Sequence, residues 1–267
     1  MKNLSLPKGI IQEDSILTGF RGSISHNTYR PSKETDSIDD IDIVSIYVAP
    51  VEYYIGLDQD TAYKRGKHII SGEFDIVSYE LRHFTKLALK FNPNIIPVLW
   101  SDEKHYITLG VPGKILIENR DCFSSKRAYE TFTGYANNKL EEISKKVFCG
   151  YMGAKRKALV EKFGYDCINA SHAIRLFKMG IEFLETGKLN VYRRKDKSIL
   201  LAIKKGKWKL DDVKEFAKDL YEDAKIALKK SDLPEEPDNA TISEIFMEII
   251  SDYIYEEYQI PIALKRY

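Results

Sequence analysis

The sequence predicts an α/β protein: a mixed sheet with helices over residues 1–120, followed by a mainly helical part over residues 121–267. Three observations carry this. Short β-branched runs (SILTGF, DIDIVSIYVAP and EFDIVSY) fall in the first 80 residues. From about residue 124 the apolar residues recur instead at helical spacing. The composition, 43% hydrophobic and 30% charged over 267 residues, is that of an ordinary globular chain with enough length for one or two domains.

Taken in order, SILTGF (15–20) is a short apolar strand ended by glycine. DIDIVSIYVAP (40–50) is a second strand closed by Pro50, and EFDIVSY (73–79) alternates as a third. Leu81, Phe84, Leu87 and Ala88 share one helical face, which Asn92-Pro93 terminates. Leu140, Ile143 and Val147 mark a helix, as do Ile174, Phe177, Ile181 and Leu184, the latter ending near Gly187. Residues 191–208, VYRRKDKSILLAIKKGKW, read as a hairpin between helices. Val213, Phe216, Leu220 and Ala227 form a further helix. The stretch SDLPEEPDNA (231–240) is a polar linker, after which Thr241 and Glu244 propose a capping box for a last helix.

Charge and cysteine content exclude several classes. With 41 basic and 40 acidic residues the net charge is +1, which argues against a dominant nucleic-acid scaffold while leaving room for a local basic patch. Cys122, Cys149 and Cys167 have no CxxC spacing, so neither a disulfide framework nor a tetrahedral zinc site can be drawn from them. The opening MKNLSLPKGII has no long apolar core, which reads against a signal peptide. No apolar run approaches the about 18–20 residues of a membrane span. The expectation is a soluble protein of the reducing cytoplasm.

The chemistry concentrates in residues 19–48. Asp40 and Asp42 stand two apart on a strand, so their carboxylates leave one face and repel unless they share a cation. A hard dication such as Mg²⁺ accepts such oxygens and also holds substrate phosphates. Upstream, Gly22-Ser23 follows a strand, where the backbone can approach a ligand and amides can cradle a phosphate. Asp75, between Phe74 and Ile76, adds a carboxylate on the next strand.

In this order the motifs resemble the signature of the DNA polymerase beta-like nucleotidyltransferase superfamily, hG[GS] followed by DhDh and a distal carboxylate. The chain more closely resembles the predicted nucleotidyltransferases called the RNA repair pathway DNA polymerase beta family. The matching stretches include GSISHN, DIDIVSIYVAP, FDIVSYELRHFTKLALKFNPNIIPVLW, SSKRAYETFTGYANNKLEEI and KFGYDCINASHAIRLFKMGIEFLETGKLNV, so the resemblance covers most of residues 15–220. It implies a polymerase beta-like catalytic domain over residues 1–120. It further implies that Gly22 and Ser23 hold the phosphates of an NTP, that Asp40 and Asp42 bind Mg²⁺ or Mn²⁺, and that Asp75 is the third carboxylate. Glu80 also fits that last pattern and is the alternative. The implied reaction is in-line attack of a hydroxyl on the α-phosphate with loss of pyrophosphate, helped by two metals.

The chain departs from the pattern at several points. Sixteen residues separate Ser23 from Asp40, a long gap whose loop is expected to reach over the site. Asn27 stands where the superfamily has a second glycine and can take the left-handed conformation. Asp39 faces away from the pair on a regular strand and reads as structural. A lysine expected after GYD (164–166) is absent, with Ile168 or Asn169 in its place, which bears on activity.

His172 and Arg175 share a helix face in SHAIRLF, resembling the family's HAxRL, and read either as a buried bridge between the two parts or as contacts to the nucleotide. His26 beside the Gly-Ser turn is a further candidate, with a plain loop role as the alternative. Lys145, Lys146, Lys155, Arg156 and Lys157, and the clusters Arg193-Arg194-Lys195 and Lys204-Lys205, are solvated faces or a surface for RNA or tRNA. The functional expectation is a nucleotidyltransferase acting on a hydroxyl, with an RNA end as the family name implies. The alternatives are a silent nucleotide sensor or RNA-binding module, and a toxin-like transferase modifying tRNA or protein.

Overall fold

The three apolar runs near the N-terminus become adjacent strands because each offers one face to a layer of helices. A computed structural model describes residues 11, 14–31, 39–56, 67–144 and 154–259. Its sheet contains β1 (Ser15–Phe20), β2 (Ile41–Tyr47), β3 (Lys67–Ser71), β4 (Phe74–Glu80) and β5 (Tyr106–Leu109) in the order β3-β4-β2-β1-β5. β2 and β4 run parallel, and every other pair is antiparallel. The architecture is therefore a mixed sheet with many helices, as the sequence predicts.

The two faces of β2 follow its alternation. Val44 and Ile46 enter the main core, whereas Ile41 and Ile43 join Phe20, Ile24 and Ile76 in a smaller cluster on the other side. The main core runs without a break from these strands through the helical part as far as Ile254. Short helices α1 (Gly22–Ser25) and α2 (Val51–Ile55), then α3 (Leu81–Ala88) and α4 (Val111–Glu118), decorate the sheet. Among these, α2, β3, β5 and α4 are too short or too exposed to stand out in the sequence.

The helical part is built around α7 (Cys167–Thr186), which packs between α5 (Arg127–Ser144) and α9 (Leu210–Lys230). Asp166 caps its first turn by accepting from the amides of Ile168 and Asn169. Gly180 lets α5 cross closely, because a Cβ there would lie 2.9 Å from Phe132 Cβ. Phe91, Trp100, Phe132 and Phe183 fill the space between sheet and helices, with the rings of Phe91 and Phe183 4.4 Å apart.

Two expectations are corrected. Residues 191–208 are not a hairpin: they hold a loop and α8 (Lys197–Lys204). In SILLAIK the residues Leu200 and Ile203 fall on one helical face and are buried, a spacing that favours helix over strand. The last helix, α10 (Asn239–Tyr258), is capped not by Thr241 but by Asp238, which accepts from the Thr241 amide at 3.0 Å and from its hydroxyl at 2.7 Å. The remaining helix is α6 (Ala154–Phe163). Val147 and Cys149 lie outside the described residues. Cys122 and Cys167 carry free thiols, the latter buried as expected. Among the described residues no helix is long and apolar enough to cross a membrane.

The two parts are stitched together by polar contacts. Lys204 on α8 is buried and pairs with Asp39 at 2.6 Å while donating to the Thr28 carbonyl at 3.1 Å. The imidazole of His26 hydrogen-bonds the Val191 carbonyl at 3.0 Å, and the Asn27 side chain spans to Arg193 and Lys197. The turn after α1 is thus fixed by the loop between α7 and α8.

Candidate active site

The parallel register of β2 and β4 sets Asp42 directly beside Asp75. Neighbours across a ladder share a face, so both carboxylates leave the sheet on the side of Val44, at the margin of the helical layer. Arg21 follows β1 and its amide donates to the Asp42 carbonyl, which brings its guanidinium to the same spot. Arg21 Nη2 lies 3.0 Å from Asp75 Oδ1 and 3.6 Å from Asp42 Oδ1. His68 on β3 reaches the same Asp75 oxygen at 2.9 Å. Burial, with Asp75, Asp40 and Asp39 adding to it against the opposing pull of Arg21, raises the Asp42 pKa to about 6. The cluster is short of positive charge.

Gly22 is required where it stands. Its φ is +60, and a Cβ would lie 2.0 Å from Asp42 Oδ2, so glycine alone lets that carboxylate lie against the turn. Ser23 follows with its hydroxyl buried and without a hydrogen-bond partner among the described residues. A buried hydroxyl left unpaired in a turn is a donor that fits a phosphate oxygen. Asn27 closes the turn at φ 60, the left-handed conformation expected of it.

Helix α7 delivers the opposite wall. His172 and Arg175 face a cleft of about 160 Å³ that is also lined by Arg21, Gly22, His26 and Asp42. Among the described residues neither His172 nor Arg175 makes a hydrogen bond or ion pair. Burial first, then Arg193, brings the Arg175 pKa down to about 10, and Asp42 opposes this; the guanidinium stays charged at neutral pH. Burial, reinforced by Arg175, holds His172 well below its ordinary value, and burial does the same to His26. Both imidazoles are neutral. The structure therefore brings five of the seven candidate residues, Gly22, Ser23, Asp42, His172 and Arg175, to this cleft and its turn, with Asp75 adjoining it through Arg21.

The others fall as follows. Asp40 is exposed and precedes β2 instead of lying within it. Glu80, the alternative to Asp75, is fully buried opposite Tyr47, five ladder positions from the Asp42–Asp75 pair. It caps α3 through the amides of Arg82 and His83 and accepts from Tyr54 at 2.6 Å, so its oxygens are committed to structure. Asp39 accepts from Lys204 and from the Arg30 amide at 2.7 Å, the structural role expected. Residues 32–38 of the loop expected over the site lie outside the described residues, as do Lys145, Lys146 and the side chain of Lys155. Arg156 is committed to Asp166 at 2.7 Å. Sequence reasoning missed Arg21 and His68. Arg21 is adjacent to Gly22 and was legible as a cation at the motif, but His68 reaches the site only because β3 pairs with β4.

Carboxylate oxygens on neighbouring strands suit a hard dication, and the charge deficit at Asp42 is what such an ion would relieve. Among the described residues no group of three His, Cys, Asp or Glu side chains is gathered in a metal-holding arrangement. Arg21 lies where Asp42 and Asp75 would share a cation.

No curated protein is significantly similar to the chain. A solved structure described as a nucleotidyltransferase-like protein from Exiguobacterium sibiricum 255-15 aligns over 96% of this chain and 90% of its own, at 11% identity and a TM-score of 0.31. The model of one family matches residues 34–248, the greater part of the sequence including Asp40, the strands of Asp42 and Asp75 and the whole of α7. The chain belongs to the RNA repair pathway DNA polymerase beta family, and is a polymerase beta-like nucleotidyltransferase by family.

Proposed function

We propose that the protein transfers a nucleoside monophosphate from an NTP to a hydroxyl, with an RNA end as acceptor. The observation that carries this is the cleft in which the unpartnered Arg175 faces Asp42 across the Gly22-Ser23 turn. The division of labour sets residues 1–120 as the catalytic part and residues 121–267 as the helical part that supplies Arg175.

The Gly22 backbone and the Ser23 hydroxyl receive phosphate oxygens, and Arg175 contributes a cation that matches phosphate geometry. His172, neutral, packs beside them without adding charge. The acceptor oxygen bonds to the α-phosphorus as the bond to the β-phosphate oxygen breaks, pyrophosphate leaves, and Asp75 takes the hydroxyl proton. His68 orients the Asp75 carboxylate for that role. Mg²⁺ or Mn²⁺, held by Asp40, Asp42 and Asp75, would neutralise charge on the transferring phosphate and on the attacking oxygen. Arg21 must then give up its contacts to Asp42 and Asp75.

The position of Arg21 also favours a second reading, a catalytically silent nucleotide binder whose carboxylates are neutralised from within. Incubating the protein with each labelled NTP, Mg²⁺ or Mn²⁺ and RNA separates the two. Label on RNA that vanishes with Asp42→Asn and Asp75→Asn supports the transferase. NTP binding with no label on any acceptor supports the silent form.

A further inference from the structure

A second cavity, of about 330 Å³, opens beside the cleft, walled by Trp100, Tyr192 and the loop between α7 and α8. Residues 97–102 separate the two, with Pro97, Val98 and Ser101 facing the cleft and Trp100 and Asp102 facing the cavity. The loop on its far side is tied to the phosphate turn through the His26–Val191 and Asn27–Arg193 hydrogen bonds. The cavity is therefore held in fixed relation to the Gly22-Ser23 turn.

Its charges divide into committed and uncommitted ones. Arg193 is buried and spent on Glu182 at 2.6 Å and Asp196 at 2.5 Å, and Asp102 is paired with Lys104 at 3.2 Å. Arg194 and Lys195 remain exposed on the rim, and among the described residues neither has an ion-pair partner. Two cations gather at one ring: Lys104 Nζ lies 4.0 Å and Arg194 Cζ 5.5 Å from the centroid of Tyr192. Ring surface on the walls with exposed cations outside any ion pair at the rim is the combination that takes a base and its phosphates from a single strand.

We propose that this cavity binds the terminal nucleotides of a single-stranded nucleic acid and presents their end hydroxyl to the cleft, a role that rests on the transferase reading above. Trp100, which packs on Phe91 and Phe183, and Tyr192, which has Lys104 and His105 against its ring, border the bases, while Arg194 and Lys195 receive the backbone phosphates. None of these four residues belongs to the nucleotide cleft.

The test is anisotropy of fluorescein-labelled RNA and DNA octamers of one sequence, with NTP affinity and melting temperature measured in parallel. The double variant Arg194→Ala/Lys195→Ala is expected to bind the octamer about ten-fold or more weakly, with a reduced salt slope and unchanged NTP affinity and melting temperature. Tyr192→Leu is expected to weaken the octamer by about ten-fold as well. Either octamer serves, and preference for one identifies the sugar the cavity accepts. Equal affinity in wild type and the rim variant, or no octamer binding by wild type, overturns the proposal. Octamer binding lost in the rim variant while no NTP is ever bound or transferred would instead sink the transferase reading and leave the cavity standing.

Discussion

Asp42 is a side chain whose charge the fold tolerates at a cost. Its pKa rises to about 6, so between pH 4 and 6 the folded chain holds a proton that the unfolded chain has released. Stability contributed by that proton falls as pH rises through this window. Asp42→Asn is therefore expected to raise unfolding free energy at pH 8, without divalent metal, by on the order of 1–3 kcal/mol. At pH 4 it should give little, and at both it should abolish transfer; denaturant titrations at the two pH values check this. At Gly22 the outcome is the reverse. Gly22→Ala adds roughly 1–2 kcal/mol of left-handed backbone strain and displaces Asp42, so both melting temperature and transfer should fall. The sequence made the Gly22-Ser23 turn and the place of Asp42 legible because a glycine after a strand and a carboxylate inside an apolar strand are local patterns, whereas Asp40, read there as its strand partner, lies exposed before β2. It could not reveal that Arg21 bridges Asp42 and Asp75, since that bridge depends on how β1 and β4 flank β2.

At the scale of elements, Glu80 and Asp75 sit on the same strand with different duties. Glu80→Gln keeps an acceptor at the α3 cap and loses its charge, so it is expected to lower stability by about 1 kcal/mol and leave transfer intact. Asp75→Asn should do the opposite, and melting curves beside transfer assays distinguish them. The register separates the two, because Asp75 lies beside Asp42 whereas Glu80 lies beside Tyr47. Helix α8 shows the other limit of local reading. Its Lys204 looks like part of a basic surface in the sequence, yet it is buried against Asp39. Lys204→Met takes the lysine's charge away from that buried carboxylate, which keeps its bond from the Arg30 amide, and is expected to cost about 3 kcal/mol in urea unfolding. Replacing Asp39 as well, in Lys204→Met/Asp39→Asn, should recover much of the loss.

The molecule as a whole assembles its cleft from segments about 150 residues apart in the chain, with the turn after β1 on one side and α7 on the other. Arg175 is the cation that this assembly contributes, so Arg175→Lys, which keeps charge but loses the planar fork, is expected to raise the KM for NTP about ten-fold while leaving the fold intact. An unchanged KM would mark the arginine as a bridge between the two parts. The strands β1, β2 and β4, the helices α3, α7 and α9, and the placement of Asp42 and Asp75 on strands all followed from the sequence alone, because each is written in short-range periodicity or spacing. Tertiary structure alone decided that Asp75 and not Glu80 joins Asp42, that Arg21 and His68 attend them, and that Lys204 is buried. It also decided which cations of the 193–195 cluster stay exposed. The physical reason is common to all of these: pairing register, burial and charge compensation are relations between segments, and no window along the chain contains both partners.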